Sequence, residues 1–217
     1  MIKEINTQGK SVLYVNTEPV VPIITRKPDE KVQLGSLTGN QHFTIDQDDI
    51  DIAQDNPNAA ISIDQSGEKY TCVWPSMYLT LVRDLLDTAE SIADRCMGLA
   101  STQIWDLDEP CPSIFVMRWP CSEKLNKRGW DWQEFINPQI VCSGKTLKLA
   151  EGCLSYPNLT IKKTRKANVT LAYQTLTEPR RRTEKFTSAS HNWIPQVMQH
   201  ECDHLSGKCI RSRNFKR

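Results

Sequence analysis

Apolar side chains recur at three- and four-residue steps through Tyr78, Leu81, Val82, Leu85, Ala89, Ile92 and Cys96. That spacing puts all seven on one face of a helix. Ser76 stands where an N-cap belongs and Gly98 where the run stops, which predicts a helix of about five turns. Shorter apolar runs at 113–118, 135–142, 145–149, 159–163 and 168–174 read as strands. Trp119-Pro120, Gly129 and Gly144 separate them, as turns between antiparallel strands would. A second helix is predicted over about 192–206, with Pro195 in its first turn and Gly207 as its stop. Upstream of residue 76 the pattern weakens. Residues 1–33 alternate short apolar runs with Pro19, Pro22 and Pro28, and read as extended chain and turn. Residues 34–75 carry Gly35, Gly39 and an acidic run at 46–51 that reads as solvated surface, with one short strand at 60–63. A long helix, then strands, then a late helix is an α+β order, not an alternating parallel one.

Composition narrows the function. The chain has 217 residues, 27 basic against 26 acidic, so its charge of +1 supplies no broad attraction to nucleic acid. DNA is accordingly not an expected partner. No run approaches the roughly 20 apolar residues that a membrane span needs, and Asn16, Glu18, Pro19 and Pro22 break up the apolar opening. The expectation is a cytoplasmic protein in one domain over 1–217. Eight cysteines without a CxxC pair or regular framework are then reduced thiols, most of them small buried hydrophobes.

The late helix carries the chemistry. In Gln199-His200-Glu201-Cys202-Asp203-His204, four-residue spacing sets His200 and His204 one turn apart on a single face. Two neutral imidazoles there can grip one divalent ion, with Glu201 near enough to exchange protons with a water on it. A third ligand is needed, and no His, Asp or Glu follows His204, so it is expected upstream. Cys153, in Glu151-Gly152-Cys153-Leu154-Ser155 after a strand-like run, is the leading candidate. Taken alone it would more often be a buried structural thiol. A thiolate with two imidazoles suits iron, zinc, nickel or cobalt.

The segments Gly98-Leu99-Ala100-Ser101-Thr102-Gln103, Glu151-Gly152-Cys153-Leu154-Ser155 and Gln199-His200-Glu201-Cys202-Asp203-His204 resemble, in order, the three signature motifs of peptide deformylases. Phe135-Ile136-Asn137-Pro138 resembles the strand before the second motif, and residues 21–31 the family's opening segment. The resemblance implies antiparallel sheets packed around a central metal-binding helix. It also implies a metal-dependent amidohydrolase that removes formyl from the N-terminal methionine of new polypeptides. By motif position, Cys153, His200 and His204 would hold one Fe(II) or Zn(II), with Ni(II) or Co(II) as alternatives, and Glu201 would be the general base and acid. Gln103 and the Leu154 N–H would face the developing oxyanion. Met97, Gly98 and Gly152 would hold the formylmethionyl peptide as an added strand, and Val197 and Trp193 would line the methionine pocket, unless they are ordinary core. Glu151 and Arg165 would form a buried pair, and Asp203 would bond a ligand imidazole or stay a surface charge.

The chain departs from the family at Cys96, where another glycine is usual, and at 34–75, which reads as an insertion. No long helix follows the last motif, so a transient ribosome contact would fall to Arg180–Arg182, Arg211, Arg213, Lys216 and Arg217, which also fit a solvated basic face. Two other readings stay open. A catalytically silent metal-binding relative would have no chemical reason to keep Gln103, Glu201 and Cys153 together. A HExxH metallopeptidase of other specificity would want its third ligand downstream.

Overall fold

The computed structural model describes residues 1–7, 13, 16–20, 23–25, 60–63, 69–106, 109–121, 128–178 and 181–212. Strands β1 (Ile23–Thr25), β2 (Ala60–Ile63) and β3 (Lys69–Val73) form an antiparallel sheet in the order β1-β3-β2. Helix α1 (Ser76–Ser91) follows, then β4 (Gly98–Ala100), a 3-10 turn at Ser101–Gln103, β5 (Ile114–Pro120), β6 (Trp130–Cys153), β7 (Tyr156–Gln174) and β8 (Arg182–Thr187). These five strands make a second antiparallel sheet in chain order. Two helices close the described chain, α2 (Ser188–His191) and α3 (Ile194–Leu205). The α+β class holds.

Strands β4, β5 and the first half of β6 are covered on both faces, because successive side chains of a strand point to opposite sides. Leu99, Ile114, Val116 and Ile136 join the cluster formed with Leu81, Val82, Leu85 and Ala89 of α1. Their neighbours Ala100, Phe115, Met117 and Phe135 join the cluster formed with Ile194, Met198, Cys202 and Leu205 of α3. The apolar face read from residues 78–96 is the face α1 buries. Its ends differ from the expectation. Pro75 rather than Ser76 is the N-cap, with no side-chain hydrogen bond, and the helix stops at Ser91. The chain then turns, with the Cys96 N–H still reaching the Ile92 carbonyl at 3.0 Å, and emerges as β4.

Runs predicted as separate strands fuse. Residues 135–142 and 145–149 belong to β6, and 159–163 and 168–174 to β7. Pairing continues across the polar stretches because the backbone carries the ladder, and register shifts absorb irregular positions such as Asn137 (φ 50°) and Gly144 (φ 78°). Asn137 also ties in the opening segment: its Oδ1 accepts the Val20 N–H and its Nδ2 donates to the Val20 carbonyl, each at 2.6 Å. The strand expected at 60–63 is β2, while β3 shows that the 34–75 region adds a second strand to the sheet holding β1. The acidic run, most of 21–31, Arg180, Arg213, Lys216 and Arg217 lie outside the described residues. Arg182 is not in a loop but starts β8, where it pairs with Glu184 at 2.9 Å. Cys96, Cys111, Cys121, Cys142, Cys153, Cys202 and Cys209 are free, as expected, and no described helix is long and apolar enough to cross a membrane.

Candidate metal centre

Three chain segments deliver the site. Strands β6 and β7 are joined by a two-residue turn, Leu154-Ser155, with Cys153 paired to Tyr156 across it. The thiol therefore sits at the tip of a long two-stranded ribbon. Helix α3 presents His200 and His204, their ring centroids 5.0 Å apart. Gln199 fixes the helix against β7: its Oε1 accepts the Lys166 N–H at 3.0 Å, and its Nε2 donates to the Lys166 carbonyl at 2.9 Å. Pro195 lies in the first turn, and Gly207 (φ 63°) ends the helix with the Lys208 N–H on the Asp203 carbonyl at 2.8 Å. The 3-10 turn after β4 carries Gln103.

The ligand atoms of Cys153, His200 and His204 all lie within 4.8 Å of one another, and Cys153 Sγ is 3.2 Å from His204 Nε2. The three are thus within reach of one common ion. His200 Nδ1 meets Glu151 Oε2 at 3.2 Å, which leaves Nε2 for the centre. Glu151 is in turn clamped by Arg165, with Nε and Nη2 donating at 2.7 and 2.8 Å. Burial pushes the Glu151 carboxyl up, but the hydrogen bonds from Arg165 and His200 outweigh it and hold it at about 2. Arg165 Nη1 also donates to Asp203 at 2.7 Å. Asp203 therefore reaches the centre through Arg165, and neither of the roles foreseen for it is the one observed.

A divalent ion fits this donor set. Burial depresses His200, yet its bonds to Cys153 and Glu151 raise it to about 10, so the surroundings favour positive charge at that spot. His204 is driven the other way, by burial and then by the charge of His200. Neutral imidazole is the ligand form. Glu201 is 3% exposed, and its Oε2 has no hydrogen-bond partner among the described residues. Burial pushes its carboxyl up to about 7 against the opposing pull of His200. A buried carboxyl group whose pKa is raised and whose outer oxygen has no partner among the described residues has the chemistry to exchange protons.

The remaining expected residues gather at one cleft of about 760 Å³, lined by Met97, Gly98, Gln103, Gly152, Cys153, Leu154, Trp193, Val197, His200 and Glu201. Gln103 is oriented by its own turn: its Oε1 accepts the Ala100 N–H at 2.9 Å, so Nε2 points to Ser155 Oγ at 3.2 Å and towards Cys153 Sγ at 4.0 Å. Trp193 and Val197 are half-buried, packing on the α3 cluster while lining the cleft. The two glycines differ. A Cβ at Gly152 would meet only the Leu159 carbonyl at 3.9 Å, an ordinary contact. A Cβ at Gly98 would stand 2.6 Å from Glu201 Oε1, so this glycine first of all makes room for the carboxylate. Gly98→Ala should fold normally by circular dichroism yet displace the Glu201 carboxylate; a crystal structure of the variant with the carboxylate unmoved would refute the close approach.

Sequence reading missed three parts of the site. The Glu151 contact to His200 was hidden by a separation that only folding closes. Ser155 lay within a recognised motif without a role. Glu4, Ile5 and Thr7, which also line the cleft, carry no pattern at all.

Known proteins resemble the chain in sequence and in fold. The family described as polypeptide deformylase matches residues 56–216. A peptide deformylase from Chlorobaculum tepidum is 38% identical over 85 residues, covering 38% of this chain and 41% of that protein. One from Pseudoalteromonas translucida is 34% identical over 128 residues, covering 59% of this chain and 66% of that protein. The chain thus spans between two fifths and two thirds of the length of these relatives. A Met-Ala-Ser-bound crystal structure of a class I type b peptide deformylase from Acinetobacter baumannii shares the fold, with a TM-score of 0.57, 16% identity and 96% coverage of both chains.

Proposed function

The chain belongs to the polypeptide deformylase family, and from that premise we propose that it hydrolyses the formyl group from the N-terminal formylmethionine of newly made polypeptides in the cytoplasm, releasing formate. The observation that carries the proposal is the convergence of the Cys153, His200 and His204 ligand atoms within 4.8 Å, beside the buried Glu201, whose Oε2 has no hydrogen-bond partner among the described residues. The Acinetobacter neighbour is a peptide deformylase with Met-Ala-Ser bound.

Cys153, His200 and His204 would hold the ion, with Glu151 orienting His200. An ion there supplies Lewis acidity, which acidifies water and polarises a carbonyl. Fe(II) and Zn(II) are the proposed occupants, with Ni(II) and Co(II) suited to the same ligands. The other steps belong to side chains and backbone. Among the described residues β4 is hydrogen-bonded on one side only, by β5, so its free edge can take the peptide as an added strand. Met97 and Gly98 on that side and Gly152 across the cleft would align the substrate backbone, while Val197 and Trp193 would receive the methionine side chain. Glu201 would accept a proton from the attacking water and pass it to the amine as the formyl C–N bond breaks and the new C–O bond remains in formate. Gln103 Nε2 and the Leu154 N–H would donate to the oxyanion, worth about 3 kcal/mol each in comparable sites.

The test is formate release from formyl-Met-Ala-Ser, measured without oxygen. Activity should vanish on removal of metal with a chelator and return on adding Fe(II) or Ni(II). Metal uptake without formate would instead mark a silent binding module, and cleavage of an unformylated internal bond a metallopeptidase.

A further inference from the structure

Residues 1–7 lie outside the segment that matches the family, yet they are built into the cleft. Their backbone is fastened at successive points. The Lys3 N–H donates to Thr88 Oγ1 of α1 at 2.9 Å. The Asn6 N–H donates to the Gln103 carbonyl at 2.6 Å, and Asn6 Nδ2 to the carbonyls of Trp105 at 2.8 Å and Thr102 at 3.2 Å. So anchored, Glu4, Ile5 and Thr7 line the cleft alongside Leu154. Ile5 and Leu154, both half-buried, pack against the same α1 cluster.

Under the deformylase reading the cleft has tasks already assigned to other residues. The formyl group belongs at Glu201 and Gln103, and the methionine side chain at Val197 and Trp193. A volume of about 760 Å³ lies within the roughly 300–1,000 Å³ that accommodates a drug-sized ligand, more than one residue requires. The peptide beyond its methionine must run along the part of the lining still unassigned. We infer that residues 4–7 form a subsite wall for the peptide positions after formylmethionine, with Ile5 its apolar contact and Glu4 its charge-reading side chain. This rests on the deformylase reading above. It makes the opening segment of the chain a determinant of substrate choice.

A wall that touches only the downstream residues has a kinetic signature that a mere prop for Gln103 lacks. In the Ni(II)-loaded enzyme, Ile5→Ala should raise KM for formyl-Met-Leu-Leu about fivefold, with kcat and the constants for formylmethionine amide unchanged, as fits a half-buried apolar contact. Glu4 is exposed, and its replacement leaves the fold alone. Glu4→Lys should shift the kcat/KM ratio of formyl-Met-Ala-Asp to formyl-Met-Ala-Lys about fivefold towards the acidic peptide, the scale of an exposed charge pair. A kcat loss in Ile5→Ala that is equal for short and long substrates would reduce the segment to a support for Gln103 and overturn the inference. Unchanged constants in both variants would overturn it too, leaving the deformylase reading intact. No formate from the unsubstituted enzyme with any peptide would remove that reading, and the inference with it.

Discussion

Glu201→Gln should lower kcat for formate release by about 10²–10⁴-fold, the usual worth of a general acid–base group, while metal content stays the same. The substitution is isosteric, so the fit against Gly98, where an added Cβ would come within 2.6 Å of Oε1, is kept. Glutamine can neither accept the proton of water nor return it to the amine, and Cys153, His200 and His204 are untouched. Stability should not suffer. Burial pushes the Glu201 carboxyl up to about 7, so the metal-free fold disfavours its ionised form. That penalty is absent below the ordinary carboxylate range and grows as pH rises from there to about 7. Removing the charge should therefore leave the melting temperature of the metal-free chain at pH 8 equal or higher. Full activity in the variant, with formate measured under saturating metal, would strike out the role given to this residue.

Arg165→Met carries the second large effect. Arg165 and Glu151 are each 6% exposed, and the guanidinium bonds both Glu151 and Asp203. Removing one partner from a buried ionic cluster typically costs about 3–5 kcal/mol, because the stranded charges keep their desolvation penalty. Urea denaturation should register a loss of that size. The variant should also bind metal more weakly, by about 10- to 100-fold, since Glu151 would no longer hold His200 Nδ1 in place. Replacing both partners, as Arg165→Met with Glu151→Gln, should recover part of the stability but not the metal affinity. A single-variant loss below about 1 kcal/mol would mean that the pair is dispensable.

The chemistry of the site was more legible in the sequence than its scaffold was. Helical spacing alone placed His200, Glu201 and His204, because one turn of α3 fixes their relation. Cys153 could be nominated from its neighbours, but its meeting with the histidines depends on the ribbon and α3 packing together. Strand boundaries failed for a different reason. Hydrophobic patterning reports burial, and β6 continues through residues 141–146, all exposed, where hydrogen bonding alone sustains the strand. Strand β4 has only three residues, too short for any periodicity. The end of α1 was overrun because Ile92 and Cys96 join the same apolar cluster from a turn as they would from another helical turn. Burial was read correctly there and conformation was not. Glu4, Ile5 and Thr7 act through position, which composition does not encode.

The sulfur at the tip of the β6–β7 ribbon has a consequence for how the centre comes into being. Cys153 and His204 are 51 residues apart in the chain, and each belongs to an element with ample local bonding of its own. Ribbon and helix can form separately, but the loop between them must close before any ion finds all three donors, and that closure has an entropy cost of its own. An ion bound there would accordingly be captured late in maturation, and a tightly held one would act as a clasp that slows the parting of the two elements.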